Sequence, residues 1–191
     1  MYRKNLLSSL FLKERHKRSL GLLDGIAPRR MLDVGCGEGE FIASFSKRFP
    51  STQIIACDID PLALSDAGKT CPRAILREGD FSAMDFEPVD LVVMLEVLEH
   101  SPDPKAMLAK AAKLAGKNGK ILISIPRPEL MHWRIIWAFW SSTFGRHWLG
   151  QHSHLTEAKL LDIASECGLS PERKAHFFLG SISIILFKPT R

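Results

Sequence analysis

Three glycines lie in the stretch LDVGCGEGEF (residues 32–41), between an apolar run and a helix-like run. Glycine has no side chain, so the backbone N–H groups of such a turn can approach a ligand closely, and the N-terminus of the next helix favours negative charge. A dinucleotide fingerprint requires glycine at position 40, where this chain has Glu40, and Asp33 and Glu38 add further negative charge. The turn therefore favours a cationic or zwitterionic nucleoside over a pyrophosphate.

Outward from this turn, β-rich runs alternate with helix-like runs as far as residue 126. The β-rich runs are RRMLDVG, QIIACDI, RAILREGD, VDLVVML and GKILISI, and the helix-like runs are EGEFIASFSKRF, PLALSDAGK and PKAMLAKAAKLAG. This alternation is typical of a parallel sheet with helices on both faces. Beyond it, Thr156 and Gly168 bracket a predicted helix as N-cap and terminating residue. Residues 173–188 predict two strands that meet at Gly180-Ser181, so the last strand is expected to be antiparallel.

Polar residues follow the β-rich runs at regular places. Asp58 ends the second run about 20 residues beyond the glycine turn, where a carboxylate can accept both hydroxyls of a ribose. Asp80 and Phe81 follow the third run, and Glu96 follows the fourth. Ligands of doubly wound sheets bind outside the carboxyl ends of the strands, so these residues are predicted to lie around one site.

In this order the landmarks resemble the class I S-adenosylmethionine-dependent methyltransferases, of the methyltransferase type 11 or ubiquinone O-methyltransferase-like kind, over roughly residues 30–126. The resemblance implies an α/β, Rossmann-like, doubly wound seven-stranded sheet in the order 3-2-1-4-5-7-6. It also implies S-adenosylmethionine as cofactor, with the glycine turn on the methionine part and an acidic group on the adenine amine. The cofactor-binding residues are then expected to be Asp33, Gly35, Cys36, Gly37, Gly39, Asp58, Ile59, Asp80, Phe81 and Glu96.

The stretch MLEVLEH (residues 94–100) has three interpretations. If Glu96, Glu99 and His100 share one helical turn, they can bind a divalent cation, with His152 or His154 as a further ligand. In the second interpretation His100 is a general base beside Glu96. In the third, the carboxylates accept backbone hydrogen bonds and His100 only packs under the cofactor. Both Glu96 and His100 are taken as candidate catalytic residues.

Residues 127–150 interrupt the alternation and contain all four tryptophans of the chain. Trp133 and Trp137 are four residues apart, on one face of a predicted helix. Such a face either belongs to the core or, after the fifth strand, lines an acceptor pocket. The second possibility makes Trp133, Trp137, His152 and His154 candidate substrate residues.

Positive charge is concentrated at the N-terminal end. Residues 1–30 carry a net charge of +6, so with a total of +5 the other 161 residues carry about −1. Such a chain is not a general polycation, and a nucleic-acid partner is disfavoured, although contact with an anionic membrane surface stays open. No signal peptide is recognised and the four cysteines form no CxxC pair, so we expect a cytoplasmic protein with reduced thiols.

These observations predict a single domain over residues 1–191, with residues 1–28 as a helical cover and residues 127–150 as a substrate-side insertion. The expected activity is methyl transfer from S-adenosylmethionine to a small, rather apolar acceptor, with oxygen as the expected methylated atom. Two alternatives remain open: an RNA 2′-O-methyltransferase with a divalent metal, and a non-catalytic protein that binds the cofactor. The oligomeric state and the identity of the acceptor are not predicted.

Overall fold

The structure is a computed structural model, which describes residues 6–130 and 155–190. Its strands are β1 (Arg30–Val34), β2 (Gln53–Asp58), β3 (Ile75–Glu78), β4 (Leu91–Leu95), β5 (Lys120–Pro126), β6 (Leu169–Phe177) and β7 (Ile182–Pro189). They form a seven-stranded sheet in the order β3-β2-β1-β4-β5-β7-β6. Strands β1 to β5 pair in parallel, and β7 runs antiparallel between β5 and β6. The predicted fold class, strand order and antiparallel last strand are confirmed.

Helices lie on both faces of this sheet. They are α1 (Leu6–Gly21), α2 (Glu40–Arg48), α3 (Pro61–Thr70), α4 (Pro104–Ala115) and α5 (Glu157–Glu166). One hydrophobic core contains side chains of α2 and α3, and the other contains side chains of α4 and α5. Helix α1 lies against α2 and β6, as expected of an N-terminal helical cover.

Alternation along β1 assigns its side chains to these two faces. Met31 belongs to the core on the α2 face, whereas Leu32 and Val34 belong to the core on the α4 face. Successive side chains of a strand point to opposite faces, so Asp33 shares the face of Met31. Asp33 is therefore buried on the side of the sheet that α1 and α2 cover.

Short polar side chains begin three of the helices. The carboxylate of Asp60 accepts a hydrogen bond from the N–H of Leu62 at the start of α3, and Asp103 does the same for Ala106 in α4. The predicted N-cap Thr156 accepts from the N–H of Lys159 in α5, at 3.3 Å. Capping satisfies N–H groups that have no partner inside the helix, so it fixes where each helix begins.

The edge strand β6 is longer than predicted. The sequence predicted a strand from residue 173, but β6 already begins at Leu169 and contains Pro171. The register with β7 shifts between Pro171 and Arg173. An edge strand with a bulge can include proline, because a missing N–H there leaves no inner ladder bond broken.

The turn between β6 and β7 has an unusual tip. The carbonyl of Phe177 accepts a hydrogen bond from the N–H of Gly180, and that of Phe178 accepts from Ser181. Phe178 and Leu179 both adopt left-handed backbone conformations, with φ of 54° and 56°. The predicted meeting point Gly180-Ser181 lies inside this turn, but its tip is Phe178-Leu179. Left-handed conformations cost non-glycine residues about 1 kcal/mol each, so the tip is strained.

Within residues 6–130 and 155–190, no helix is both long enough and apolar enough to cross a bilayer.

Candidate active site

The glycine turn follows β1 and is held by hydrogen bonds to the neighbouring strand. The N–H groups of Gly35 and Cys36 both donate to the carbonyl of Cys57, at 2.8 and 3.1 Å. Gly39 then donates to the carbonyl of Cys36 at 3.1 Å. Burial raises the pKa of the Cys36 thiol, which therefore stays protonated at neutral pH. The turn is thus a rigid backbone structure at the carboxyl end of β1.

The three glycines of the turn meet different surroundings. A Cβ on Gly35 would lie 2.6 Å from Cγ2 of Val97, and one on Gly39 would lie 2.8 Å from the Cα of Ala67. These two glycines are required because neighbouring segments pack directly against them. A Cβ on Gly37 would meet no atom within 4 Å, although its φ of 54° is also left-handed. The space beside the Gly37 backbone is therefore open to a ligand and is not filled by the protein interior.

Asp58 links the glycine turn to the end of β2. Its Oδ2 accepts a hydrogen bond from the N–H of Gly37 at 2.8 Å, and its Oδ1 accepts from the N–H of Asp60 at 3.0 Å. Each oxygen of a carboxylate has two acceptor positions, so one remains on each oxygen for a ligand hydroxyl. The next side chain, Ile59, is 74% exposed. Asp58 and Ile59 thus offer a polar and an apolar surface side by side.

The segment after β3 places Asp80 on the surface and Phe81 in the interior. Asp80 Oδ1 accepts from the N–H of Ser82 at 2.8 Å, which holds the carboxylate in a tight turn. The ring of Phe81 lies 5.7 Å from that of Phe86, and Nζ of Lys110 lies 5.1 Å from its centroid. Packing on both sides fixes Phe81, so this turn has a defined geometry.

Glu96 ends β4 in a strained conformation. Its φ is 61°, which places a non-glycine residue in the left-handed region. Its N–H donates to the carbonyl of Ser124 at 3.1 Å, and the Ser124 hydroxyl donates to Glu96 Oε1 at 2.8 Å. Both bonds come from β5, so the fifth strand holds the strained residue in place. Strain of this kind is frequent at functional sites.

The predicted helical turn through MLEVLEH is wrong. Glu96 lies outside any helix, and a short 3₁₀-helix includes only Leu98–His100. Glu99 is 3% exposed whereas His100 is exposed, so the three side chains do not share one face. Among the described residues, no three His, Cys, Asp or Glu side chains gather closely enough to hold a metal ion. Glu96, Glu99 and His100 therefore do not form a metal site by themselves.

Arg15 of α1 is a site residue that the sequence reasoning missed. Its positive charge acts on Asp33, Glu96 and Glu99, hereafter the Arg15 carboxylates. Its Nε is buried and has no hydrogen-bond partner among the described residues. The only signal in the sequence was the basic composition of residues 1–30, which gave no reason to single out one arginine.

The Arg15 carboxylates have raised pKa values. Burial raises the pKa of Asp33 from 3.8 to about 8, and the charge of Arg15 opposes this only in part. Burial also raises the pKa of Glu96, while Arg15 and the hydrogen bond from Ser124 lower it. The pKa of Glu99 is well above its usual value, first because of burial and then because of the negative charge of Glu96. A cationic ligand beside these groups would favour their charged forms.

All the predicted cofactor residues lie at the carboxyl ends of β1, β2, β3 and β4: Asp33 precedes the last residue of β1, Asp58 ends β2, and the others follow their strands. The parallel register of these strands brings the four ends to one edge of the sheet. The predicted substrate residues Trp133, Trp137, His152 and His154 lie outside the described residues.

Sequence comparison assigns the family. Residues 4–173 match the family described as "Methyltransferase domain", and the chain belongs to that family.

Two methyltransferases in particular are similar to this chain in sequence. The chain is 30% identical to a ubiquinone biosynthesis O-methyltransferase of Idiomarina loihiensis over 118 residues, which cover 58% of this chain and 47% of that protein. It is 28% identical to a trans-aconitate 2-methyltransferase of Methylobacterium nodulans over 120 residues, covering 61% of this chain and 46% of the relative. The chain thus spans less than half the length of these relatives.

A solved structure has the same fold. The magnesium protoporphyrin IX methyltransferase from Synechocystis PCC 6803, determined with bound S-adenosylhomocysteine, superimposes with a TM-score of 0.78. The match covers 100% of this chain and 90% of that one at 17% identity, so it concerns the fold alone.

Proposed function

We propose that this protein transfers a methyl group from S-adenosylmethionine to a small-molecule acceptor. The observation that carries the proposal is the pairing of an open glycine turn at Gly37 with buried carboxylates of raised pKa beside it. S-adenosylmethionine has a sulfonium, an ammonium and a carboxylate on its methionine part. A site with acidic groups, an open glycine turn at the start of a helix and one arginine fits those charges.

Each part of the cofactor has candidate binding residues. The turn Gly35–Gly39 and Asp33 would hold the methionine part, with Arg15 facing its carboxylate. Asp58 would accept the ribose hydroxyls through the acceptor positions that Gly37 and Asp60 leave on its oxygens. The exposed Ile59 would cover one face of the adenine, and Asp80 with Phe81 would lie at its edge.

Catalysis in this proposal depends mainly on position. When bound, S-adenosylmethionine supplies a methyl group that its sulfonium has already activated, so the protein has to align the acceptor and exclude water. Glu96 is held at the end of β4 by Ser124 and would orient the acceptor. His100 is exposed at the same edge and would take the proton of an acceptor hydroxyl as general base.

The acceptor proposed is a small, rather apolar molecule that is methylated on oxygen. The name of the Idiomarina loihiensis relative supports oxygen, since that protein is a ubiquinone biosynthesis O-methyltransferase. His100 supports it as well, because a hydroxyl must lose its proton during methylation, whereas a neutral amine attacks through its lone pair and can lose its proton to water afterwards.

Calorimetric titration with S-adenosylmethionine tests the proposal, with Gly37→Ala as the decisive variant. Alanine at position 37 meets no protein atom, but its methyl group would project where the ligand approaches. We expect the affinity to fall about a hundredfold, or by about 2.7 kcal/mol.

Gly25→Ala is the matched control. Gly25 also has a left-handed φ, 76°, and no atom within 4 Å of a Cβ, but it lies in the loop after α1. Both variants should therefore lose similar stability, and only Gly37→Ala should lose affinity. If the wild type gives no binding heat, or if both variants bind alike, the cofactor assignment is wrong.

His100→Gln tests the general base. It should bind the cofactor like the wild type and lose turnover, and the loss should diminish as the pH rises and hydroxyl acceptors ionise by themselves. Unchanged turnover at neutral pH would remove His100 from the mechanism.

A further inference from the structure

The tip of the β6–β7 hairpin carries two apolar side chains toward solvent. Leu179 is 83% exposed and Phe178 is 43% exposed. The carboxyl end of the parallel β5 pairs with the start of β7, since Pro126 is opposite Ile182. The tip therefore projects from the same edge of the sheet as the candidate active site.

The backbone of this tip makes its composition unexpected. Positive φ at both central residues is the sign pattern of a type I′ turn, which strongly favours Asn-Gly. Compared with Asn-Gly, Phe178 and Leu179 cost more energy in the left-handed backbone conformation. They also expose apolar side chains to water. Phe178 packs in part against Phe11, but Leu179 is 83% exposed within the described part of the chain, and the turn geometry favours neither side chain. A contact outside the chain would give the apolar tip a use.

Helix α1 supplies positive charge next to the tip. The ring of Phe11 lies 5.0 Å from that of Phe177 and 5.3 Å from that of Phe178, so the N-terminal half of α1 packs against the hairpin. Leu10, which is 52% exposed, shares a helix face with the exposed Lys13 and Lys17 through i, i+3 and i+7 spacing. One face of α1 thus combines an apolar end with a row of lysines.

Arg127 lies at the base of the hairpin. Its Nη1 donates to the carbonyl of Gly180 at 3.2 Å. Its Nε is paired with Glu129 and Glu157, so the positive charge offered to solvent on this side of the molecule comes from α1.

We propose that this surface, hereafter the hairpin tip (Leu10, Phe178 and Leu179 with Lys13 and Lys17), inserts into an anionic lipid surface. The two leucines and Phe178 would enter the boundary between headgroups and acyl chains, and the two lysines would contact acidic headgroups. A protein partner fits less well, since three exposed apolar side chains supply far less than the roughly 800 Å² per partner of a stable interface. Lipid binding does not depend on the proposed methyl transfer, but it would turn the active-site edge toward the membrane.

Co-sedimentation with vesicles tests this inference on the full chain. We expect the wild type to bind vesicles of mixed phosphatidylglycerol and phosphatidylcholine, to bind pure phosphatidylcholine at least tenfold more weakly, and to be released by salt. Leu179→Asn suits the left-handed backbone better, so its melting temperature should stay equal or rise, while vesicle binding should fall about tenfold. Leu179→Phe keeps an apolar side chain and should retain binding.

Two controls separate insertion from other causes. Ile75→Thr removes an exposed apolar side chain from β3, at the opposite edge of the sheet, and should leave binding unchanged. Lys13→Gln combined with Lys17→Gln should weaken binding to the anionic vesicles alone. The inference fails if the wild type binds neither vesicle, or if Leu179→Asn melts like the wild type and still binds as tightly. Cofactor titration is a separate readout, so a failure here leaves the proposed methyl transfer untouched.

Discussion

Glu157 and Asp33 are both carboxylates removed from water, but their environments shift their pKa values in opposite directions. Burial alone would raise the pKa of Glu157, yet hydrogen bonds from Lys174 and His176 outweigh it and lower the pKa to about 2. Asp33 has no comparable set of donors among residues 6–130 and 155–190, and its pKa rises to about 8. Glu157 is therefore a charged structural group, whereas Asp33 is held neutral near physiological pH.

This difference distinguishes a carboxylate that stabilises the fold from one that is available to a ligand. Around Glu157 the protein itself provides the counter-charges, including Nε of Arg127 at 3.4 Å. Around Asp33 and Glu96, the positive charge that acts within the described part of the chain is that of Arg15, and it offsets the effect of burial only in part. Strongly perturbed acids in an incomplete ionic environment are candidates for function, and a cationic cofactor would complete this environment.

The largest effect is expected for Glu157→Gln. The change removes one charge from a partly buried cluster and leaves Lys174 and Arg127 without this counter-charge, so the free energy of unfolding should fall by about 2 kcal/mol at pH 7. Because the folded pKa is lowered, the contribution of Glu157 is present above its usual 4.5 and is lost as the pH falls toward 2. Urea denaturation at several pH values measures this. Glu166→Gln on the same helix, whose partner Lys105 is exposed, should change stability by less than about 0.5 kcal/mol.

Arg15→Gln should affect the cofactor more than the fold. It removes the only counter-charge found for the Arg15 carboxylates among the described residues, together with the group proposed to face the methionine carboxylate. We expect affinity for S-adenosylmethionine to fall about thirtyfold, or by about 2 kcal/mol. Lys17→Gln removes an equal charge from the exposed side of α1 and should bind normally; equal losses in both variants would contradict a specific role for Arg15.

Asp33→Asn should make the stability of the ligand-free protein less dependent on pH. The folded state keeps the Asp33 proton up to about pH 8, whereas the unfolded chain loses it near 3.8. Between these values the folded state binds more protons, so rising pH destabilises the wild type by at most about 1.4 kcal/mol per pH unit through this group. Asparagine carries no such proton. Parallel pH dependences for the two proteins would show that Asp33 is already ionised.

Proton release on cofactor binding is the smallest effect expected. It tests most directly whether Asp33 is neutral and Glu157 is charged in the ligand-free protein. A cation bound beside Asp33 lowers its pKa, so near pH 7 binding should release up to one proton. Titrations in buffers with different ionisation enthalpies count that proton. Asp33→Asn should reduce the count, while Glu157→Gln should leave it unchanged, because Glu157 is already charged at that pH.

Local sequence was sufficient to predict the sheet and the turn around the cofactor. The strand order, the cap at Thr156 and the glycine turn each depend on residues close together in the chain or on a familiar order of elements. Arg15 and the ionic cluster of Glu157 could not be predicted, because their partners come from distant elements that only the folded sheet brings together. The prediction of one helical turn through MLEVLEH was wrong for a related reason. The spacing suggested such a turn, but Glu96 adopts a left-handed backbone conformation that interrupts it.

The ion pairs of Arg127 also bear on how this protein can change over evolution. Arg127 contacts Glu129 just before residues 131–154 and Glu157 just after them, while Leu155 is anchored in the core. The segments that flank residues 131–154 are thus joined to one another by contacts within the described part of the chain. Substitutions inside residues 131–154 remove none of these contacts, so natural selection can alter that stretch of sequence without loosening its flanks.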